Sequence, residues 1–146
     1  MKTLHPKVHG GLLGVRGNPK HESEMASNDI RPIDLVIMNL YPFESTVASG
    51  ASFDQCVENI DIGGPSMLRS SAKNHAYVAI VTSPAQYSVL IQELKNNNGA
   101  TSLSTRKNFA AEAFTLSAAY DTAISKYFST QLTGAAPVAP SPVVTR

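Results

Sequence analysis

Two polar residues that could contact a small ligand follow an apolar run in the first third of the chain. Leu35 to Met38 are all apolar, Asn39 comes directly after them, and Tyr41 follows two residues later. Such a run between polar residues is typical of a strand covered on both faces of a parallel sheet. Ligands of open α/β sheets bind just beyond the carboxyl ends of the strands. The sequence therefore predicts that Asn39 and Tyr41 lie at a ligand site.

A second candidate segment begins at Asp61 and continues into Gly63-Gly64-Pro65. Two glycines and a proline favour the start of a helix, whose free N–H groups and dipole attract negative charge or a carbonyl oxygen. Asp61 in that position is either a site carboxylate or a turn and cap residue. Lys73 falls in the last turn of the same predicted helix, where it also has a structural role against the helix dipole.

The histidines and the cysteine give weaker signals. His5 and His9 are four residues apart, a spacing that presents two imidazoles on one helix face. No third ligand is apparent, so a metal site is not predicted, although it stays a minor alternative. Packing or hydrogen bonding is the favoured interpretation of His75 and of Cys56, the single cysteine.

Composition narrows the class of protein. Twelve basic and eleven acidic residues give a formal charge of +1, so no long-range field favours nucleic acid or an anionic membrane, and neither is an expected partner. The lone cysteine cannot build a disulfide framework, which favours a reducing, cytosolic location. The chain shows neither a secretory signal nor an apolar run approaching the roughly 20 residues of a membrane helix.

Local patterns predict alternating helices and strands. A short helix or strand is expected around residues 8–15, an exposed helix at 20–28 and a strand at 34–39. Ser52 and Gln55 have the spacing of a capping box, which predicts a helix over 53–59. A helix from Gly63-Gly64-Pro65 to Lys73 and a buried strand at 76–82 complete an α/β alternation.

The second half is predicted to be mainly helical. Ser83-Pro84 should cap a helix with an apolar face made of Tyr87, Leu90, Ile91 and Leu94. From Ser104 a longer helix is expected to pack on the sheet, with a possible break near Ser117. Its apolar stripe would contain Phe109, Ala113, Leu116, Tyr120, Ala123 and Tyr127. We predict one domain over residues 1–130 and a disordered Pro/Ala-rich tail over 131–146.

Four segments, read together and in order, carry a resemblance to a known family. They are K-T-L-H-P-K-V-H-G-G from Lys2, N-L-Y-P-F from Asn39, D-I-G-G from Asp61 and R-S-S-A-K-N-H from Arg69. They resemble the IMP cyclohydrolase domain of the bifunctional AICAR transformylase/IMP cyclohydrolase family, and the likeness extends to about Phe128. The resemblance implies an α/β, methylglyoxal-synthase-like, doubly wound parallel sheet that is incomplete at its N-terminus, because family members begin with a further phosphate-binding segment.

The resemblance also implies a reaction and its residues. The expected reaction is ring closure of formyl-AICAR to IMP with loss of water, which needs no cofactor. Formyl-tetrahydrofolate serves only the transformylase domain, which is not expected in this chain, and the family suggests a homodimer. Transfer of the motifs assigns catalysis to Lys2, Tyr41, Asp61 and Lys73, and substrate binding to Thr3, Asn39, Ile62, Gly63 and Gly64.

The expected chemistry explains why these residue types are suitable. A carboxamide nitrogen attacks a formyl carbonyl in the same molecule, so Lys2 and Tyr41 would stabilise the negative charge that forms on the formyl oxygen. Asp61 beside a cation, Lys73, would accept the carboxamide proton. Two alternatives stay open: a regulatory ligand-binding module of the same fold without catalysis, and an inactive truncated fragment. We expect little cyclohydrolase activity from the isolated chain.

Overall fold

A two-stranded parallel sheet organises the protein, for which a computed structural model describes residues 3–133. Strand β1 (Leu35–Ile37) pairs with β2 (Ala79–Val81), with Val36 opposite Ile80. Backbone hydrogen bonds extend the ladder by one residue at each end, from the Ala79 N–H to the Asp34 carbonyl and from the Met38 N–H to the Val81 carbonyl, both 2.9 Å. The α/β class is confirmed, although both strands are shorter than predicted.

Seven helices surround this sheet within residues 3–133. Two precede β1, three connect β1 to β2, and two follow β2, with a 3-10 turn at Pro84–Gln86 in front of the sixth. In chain order they are α1 (Pro6–Leu13), α2 (Pro19–Ser27), α3 (Phe43–Ala48), α4 (Phe53–Glu58), α5 (Gly63–Lys73), α6 (Tyr87–Asn96) and α7 (Leu103–Thr133).

Helices cover both faces of the sheet, as a doubly wound fold requires. Neighbouring residues of a strand point to opposite faces. Ile80 belongs to a core cluster with Leu68 of α5, whereas Val81 packs with Leu90 of α6. Helix α7 contributes to both clusters, through Ala113 and Phe109 respectively.

The prediction that β1 is covered on both faces is wrong for the part of the chain that the structure describes. All three residues of β2 are buried, but the side chain of Ile37 in β1 is 51% exposed. Helices α5, α6 and α7 pack mainly against β2, and β1 contributes only partly buried side chains, Leu35 and Val36, to the clusters centred there. Among residues 3–133, β1 pairs with no other strand.

Helix α7 follows its predicted stripe. Phe109, Ala113 and Tyr120 are buried, and Leu116, Ala123 and Tyr127 pack against the core from partly buried positions. The suggested break near Ser117 is wrong, since the helix runs without interruption from Leu103 to Thr133. Ser117 is itself buried, and its hydroxyl accepts a hydrogen bond of 3.3 Å from Arg69.

Other local predictions have mixed outcomes. The capping box of Ser52 and Gln55 is present, and Ser83 caps the turn that precedes α6. The apolar face predicted for α6 is only half correct, because Leu90 is buried and Leu94 packs on the core while Tyr87 and Ile91 are exposed. Residues 8–15 belong mostly to helix α1. The tail prediction for 131–146 falls mainly on residues outside the described range, although α7 continues to Thr133.

No helix within residues 3–133 is both long and apolar enough to span a membrane.

Arg106 ties the start of α7 to the connection between α5 and β2. Its guanidinium donates to the carbonyls of His75 and Ala76, each at 2.9 Å, and to the carbonyl of Thr101. Lysine cannot reproduce this planar set of donors. We expect Arg106→Lys to lower the free energy of unfolding by about 1–3 kcal/mol, because carbonyls at this junction lose their partners.

Urea unfolding of the 146-residue chain checks this expectation. Arg31→Lys is the matched control, since Arg31 is exposed and its side chain makes no ion pair within the described range. That control should change stability by no more than about 0.5 kcal/mol. Equal stabilities for the two variants would contradict the role assigned to Arg106.

Candidate functional site

A cleft of about 710 Å³ opens at the carboxyl end of β1. It lies between the segment that follows β1, the connection from α4 to α5 and the beginning of the described chain. Most of the predicted site residues line it: Thr3, Asn39, Tyr41, Asp61, Ile62, Gly63 and Gly64. The structure therefore brings together two motifs that are about twenty residues apart in sequence, at the sheet edge where ligands of this fold class bind.

Asp61 joins the walls of this cleft. Its Oδ1 accepts a hydrogen bond of 2.8 Å from the N–H of Gly64, at the start of α5, and its Oδ2 lies 3.4 Å from the N–H of Tyr41. The carboxylate is half-buried and fixed from two directions. Asp61 thus does cap the helix, and the same contacts fix the orientation of its carboxylate beside the cleft.

The two glycines at the start of α5 allow the cleft walls to approach closely. A Cβ atom on Gly64 would lie 2.7 Å from Cγ of Asp61, closer than Cβ contacts occur in proteins. A Cβ on Gly63 would instead collide with the hydroxyl of Thr3. Packing against the Asp61 carboxylate therefore requires glycine at position 64, whereas a Cβ at position 63 would meet only the Thr3 side chain.

Tyr41 and Ile62 present side chains to solvent at the cleft. The Tyr41 side chain is 57% exposed and that of Ile62 is 65% exposed. Asn39, one residue beyond the extended ladder, is also exposed. Exposed aromatic and aliphatic surface of this kind, next to a fixed carboxylate and an amide, suits a flat, polar heterocycle.

Lys73, one of the two predicted lysines, is not brought to the cleft. Lys73 is the last residue of α5, and a helix rises about 1.5 Å per residue, which places its backbone about 13 Å from Gly64. Its side chain is exposed, it does not line the cleft, and it forms no ion pair with Asp61. The expected Asp61–Lys73 pair is therefore not formed, because α5 is one continuous helix. Lys2 lies outside the described residues.

Several lining residues were missed by sequence reasoning. Glu58 adds a second carboxylate, and Leu4, Met38, Val57, Ile60 and Met67 add apolar surface. Met38 could have been found, because it ends the apolar run before Asn39. Glu58 and Val57 come from the end of α4, and no local pattern indicates that this helix end faces the same cleft.

The histidines and Cys56 have structural contacts. The Nδ1 of His5 accepts a hydrogen bond of 3.1 Å from the Lys7 N–H at the start of α1, and His9 Nδ1 lies 3.3 Å from the Ser70 hydroxyl. His75 contacts the Ala72 carbonyl at 3.0 Å, and Cys56 is fully buried. Residues 3–133 contain no group of three or more His, Cys, Asp or Glu side chains that could hold a metal ion.

Comparison with protein families identifies two matching regions. Residues 71–143 match the family described as AICARFT/IMPCHase bienzyme, and residues 2–66 match the MGS-like domain. The second match confirms the fold class predicted from the sequence motifs. Together the two regions include every predicted site residue.

Proteins with similar sequences include several that are described as the bifunctional purine biosynthesis protein PurH. The chain is 53% identical over 132 residues to the bifunctional purine biosynthesis protein PurH of Rhodospirillum rubrum, covering 90% of the chain and 25% of that protein. The PurH protein of Mesorhizobium japonicum is 56% identical over 132 residues, covering 90% of the chain and 24% of that protein. The chain thus spans about a quarter of the length of these relatives.

A solved structure has a similar fold. The crystal structure of ForH superposes with a TM-score of 0.72 at 33% sequence identity. The superposition covers 86% of this chain and 66% of that one.

Proposed function

Because the chain belongs to the AICARFT/IMPCHase bienzyme family, we propose that it supplies the nucleotide-base part of an IMP cyclohydrolase site. The reaction is ring closure of formyl-AICAR to IMP with loss of water. One observation carries the proposal: the carboxylate of Asp61 is fixed between the N–H groups of Gly64 and Tyr41 in a cleft at the carboxyl end of β1.

The cleft favours ring closure by positioning. The carboxamide nitrogen and the formyl carbon belong to one molecule, so holding them in attack geometry removes much of the entropic barrier. A C–N bond forms, the carboxamide nitrogen loses one proton and the formamide nitrogen loses another as its C=N bond forms, and the former formyl oxygen leaves with both protons as water. Because the protein needs only to orient the base and transfer protons, the step requires no cofactor in this proposal.

Tyr41 and Asp61 have complementary roles in the proposed step. The exposed Tyr41 hydroxyl donates to the formyl oxygen as negative charge develops there, which stabilises the transition state more than the ground state. Asp61 accepts the carboxamide proton. Thr3, Asn39, Ile62, Gly63 and Gly64 contact the base, and their positions in the cleft support this assignment.

The catalytic assignments of Lys2 and Lys73 belong to the same proposal but have a different basis. Both rest on the resemblance of their motifs to the family, since Lys73 lies outside the cleft in the described chain. The homodimer and the cytosolic location likewise remain predictions.

A chimera tests the proposal in a full-length context. The 132 residues of this chain that align with the Rhodospirillum rubrum relative, at 53% identity, replace the corresponding residues of that protein. We expect the purified chimera to convert formyl-AICAR to IMP, monitored by ultraviolet absorbance. A folded chimera that binds IMP without turnover would instead support the regulatory module, and one that neither binds nor turns over would support the inactive fragment.

The isolated chain provides a second prediction. Among residues 3–133, strand β1 pairs with β2 alone and Ile37 is 51% exposed, so we expect the cleft beside it to be held less rigidly than in the chimera. Loss of about 1 Å in placement costs roughly 100-fold in rate. We therefore expect turnover by the 146-residue chain to be about 100-fold or more below that of the chimera. Comparable rates under identical conditions would contradict this expectation.

A further inference from the structure

We propose that Tyr120 is a positioning residue of the site, because its hydroxyl holds the backbone of Asp61 in place from helix α7. The hydroxyl accepts a hydrogen bond of 2.8 Å from the Asp61 N–H and lies 3.4 Å from the carbonyl of Asn59, to which it donates. Tyr120 does not line the cleft. Its influence on the reaction therefore passes through Asp61.

The connection between α4 and α5 depends on this hydroxyl. Residues 59–62 separate the two helices, and the N–H of Asn59 and Ile60 bond back to carbonyls at the end of α4. Among the described residues, the N–H of Asp61 has the Tyr120 hydroxyl as its partner. A buried N–H without a partner is costly, so the hydroxyl specifies where this segment lies.

The Tyr120 ring is itself fixed. It is 9% exposed and makes an edge-to-face contact with Phe43, with ring centroids 6.3 Å apart. Both rings belong to a core cluster with the fully buried Cys56 of α4. The hydroxyl is thus presented by a packed aromatic ring on a long helix, and such a ring does not follow the Asp61 segment if that segment moves.

The Tyr120 hydroxyl must stay protonated to donate its hydrogen bond to the Asn59 carbonyl. Burial raises the pKa of its hydroxyl, and the charges of Asp61 and Asp121 act in the same direction, against the hydrogen bond from the Asp61 N–H. The hydroxyl therefore stays protonated at neutral pH and can donate to Asn59 while it accepts from Asp61.

Asp61 is hydrogen-bonded through both its backbone and its side chain. Its N–H is held by Tyr120, and its carboxylate is held by the N–H groups of Gly64 and Tyr41. A shift of the Asp61 backbone moves the carboxylate relative to both cleft walls. The kinetic consequence rests on the proposed function, in which that carboxylate accepts the substrate proton.

Tyr120→Phe removes the hydroxyl and keeps the ring. In the chimera we expect kcat for ring closure to fall about 10-fold or more, with a smaller change in KM, because misplacement of a proton acceptor affects the reaction step more than binding of the base. Tyr127→Phe is the matched control. Tyr127 also lies on α7 and packs against the same core cluster, but its hydroxyl interacts with Cys56 and not with Asp61.

An amide measurement on the 146-residue chain is independent of turnover. In ¹H–¹⁵N NMR spectra, Tyr120→Phe should move the Asp61 amide proton upfield and speed its exchange with solvent, whereas Tyr127→Phe should leave that amide unchanged. Circular dichroism at a temperature well below the unfolding midpoint of each variant confirms that helix content is retained.

The outcomes separate this inference from the proposed function. The inference is overturned if the Asp61 amide does not move in Tyr120→Phe. It is also overturned if Tyr120→Phe and Tyr127→Phe lose kcat equally, or if Tyr120→Phe leaves kcat unchanged in a chimera that turns over. A parent chimera without turnover overturns the proposed function, and the amide measurement then decides whether Tyr120 holds Asp61.

Discussion

Replacement of Asp61 by asparagine is expected to lower kcat for ring closure in the chimera by roughly 10²- to 10⁴-fold, the usual range for loss of a general acid or base. Asparagine retains an oxygen that can accept the Gly64 N–H, so the helix cap is largely preserved. It cannot accept a proton from the carboxamide at neutral pH. The substitution therefore separates the structural role of Asp61 from its proposed chemical role.

Asp54→Asn is the matched control for that experiment. Asp54 is an exposed residue in the first turn of α4, it does not line the cleft, and its replacement removes the same charge. Steady-state kinetics should show a near-parental kcat for Asp54→Asn and IMP binding retained by Asp61→Asn. If Asp61→Asn turned over at the parental rate, Asp61 would be a helix cap only, and another group would have to accept the proton.

Features encoded by neighbouring residues were predictable from the sequence. The capping box of Ser52 and Gln55 requires only a spacing of three residues, and the helix it starts is present in the structure. The stripe of α7 repeats over several turns, so its period identified the buried face even though the suggested break at Ser117 does not occur. Short-range signals of this kind do not depend on what packs elsewhere.

Features that depend on distant parts of the chain were not predictable. Helix α3 was missed because it begins after Pro42 without a side-chain cap. The apolar run of β1 indicated burial on both faces, but coverage depends on neighbouring elements, and Ile37 is half exposed among the described residues. The Tyr120 hydroxyl reaches Asp61 across 59 residues, so periodicity placed the ring in the core and gave no information about its hydroxyl.

The candidate site shows the same division. The rule that ligands bind at the carboxyl ends of parallel strands indicated Asn39 and Tyr41, and the family motifs indicated Asp61; all three line one cleft. The position of Lys73 could not be deduced from its motif, because twelve residues of separation are compatible with a bent or a straight helix. The structure contains the continuous helix α5, which carries Lys73 away from the cleft.

Replacement of Gly64 by alanine gives the second large expected effect, a loss of about 100-fold in kcat of the chimera. Gly64 has an ordinary helical conformation, so intrinsic helix propensity alone predicts that alanine stabilises α5 by about 1 kcal/mol. The added Cβ would however lie 2.7 Å from Cγ of Asp61. The carboxylate must then move and give up the hydrogen bonds that fix it in the cleft.

Gly63→Ala distinguishes this collision from a general effect of alanine at the helix start. The Cβ at Gly63 would meet the hydroxyl of Thr3, which can rotate away, whereas Asp61 is held by two backbone N–H groups. We expect Gly63→Ala to reduce kcat much less than Gly64→Ala, and Gly64→Ala to show none of the stabilisation that helix propensity predicts. Thermal unfolding and steady-state kinetics of both variants test this expectation. If Gly64→Ala were stabilised and fully active, the Asp61 carboxylate would have to move freely, and its fixed position would not be needed for the reaction.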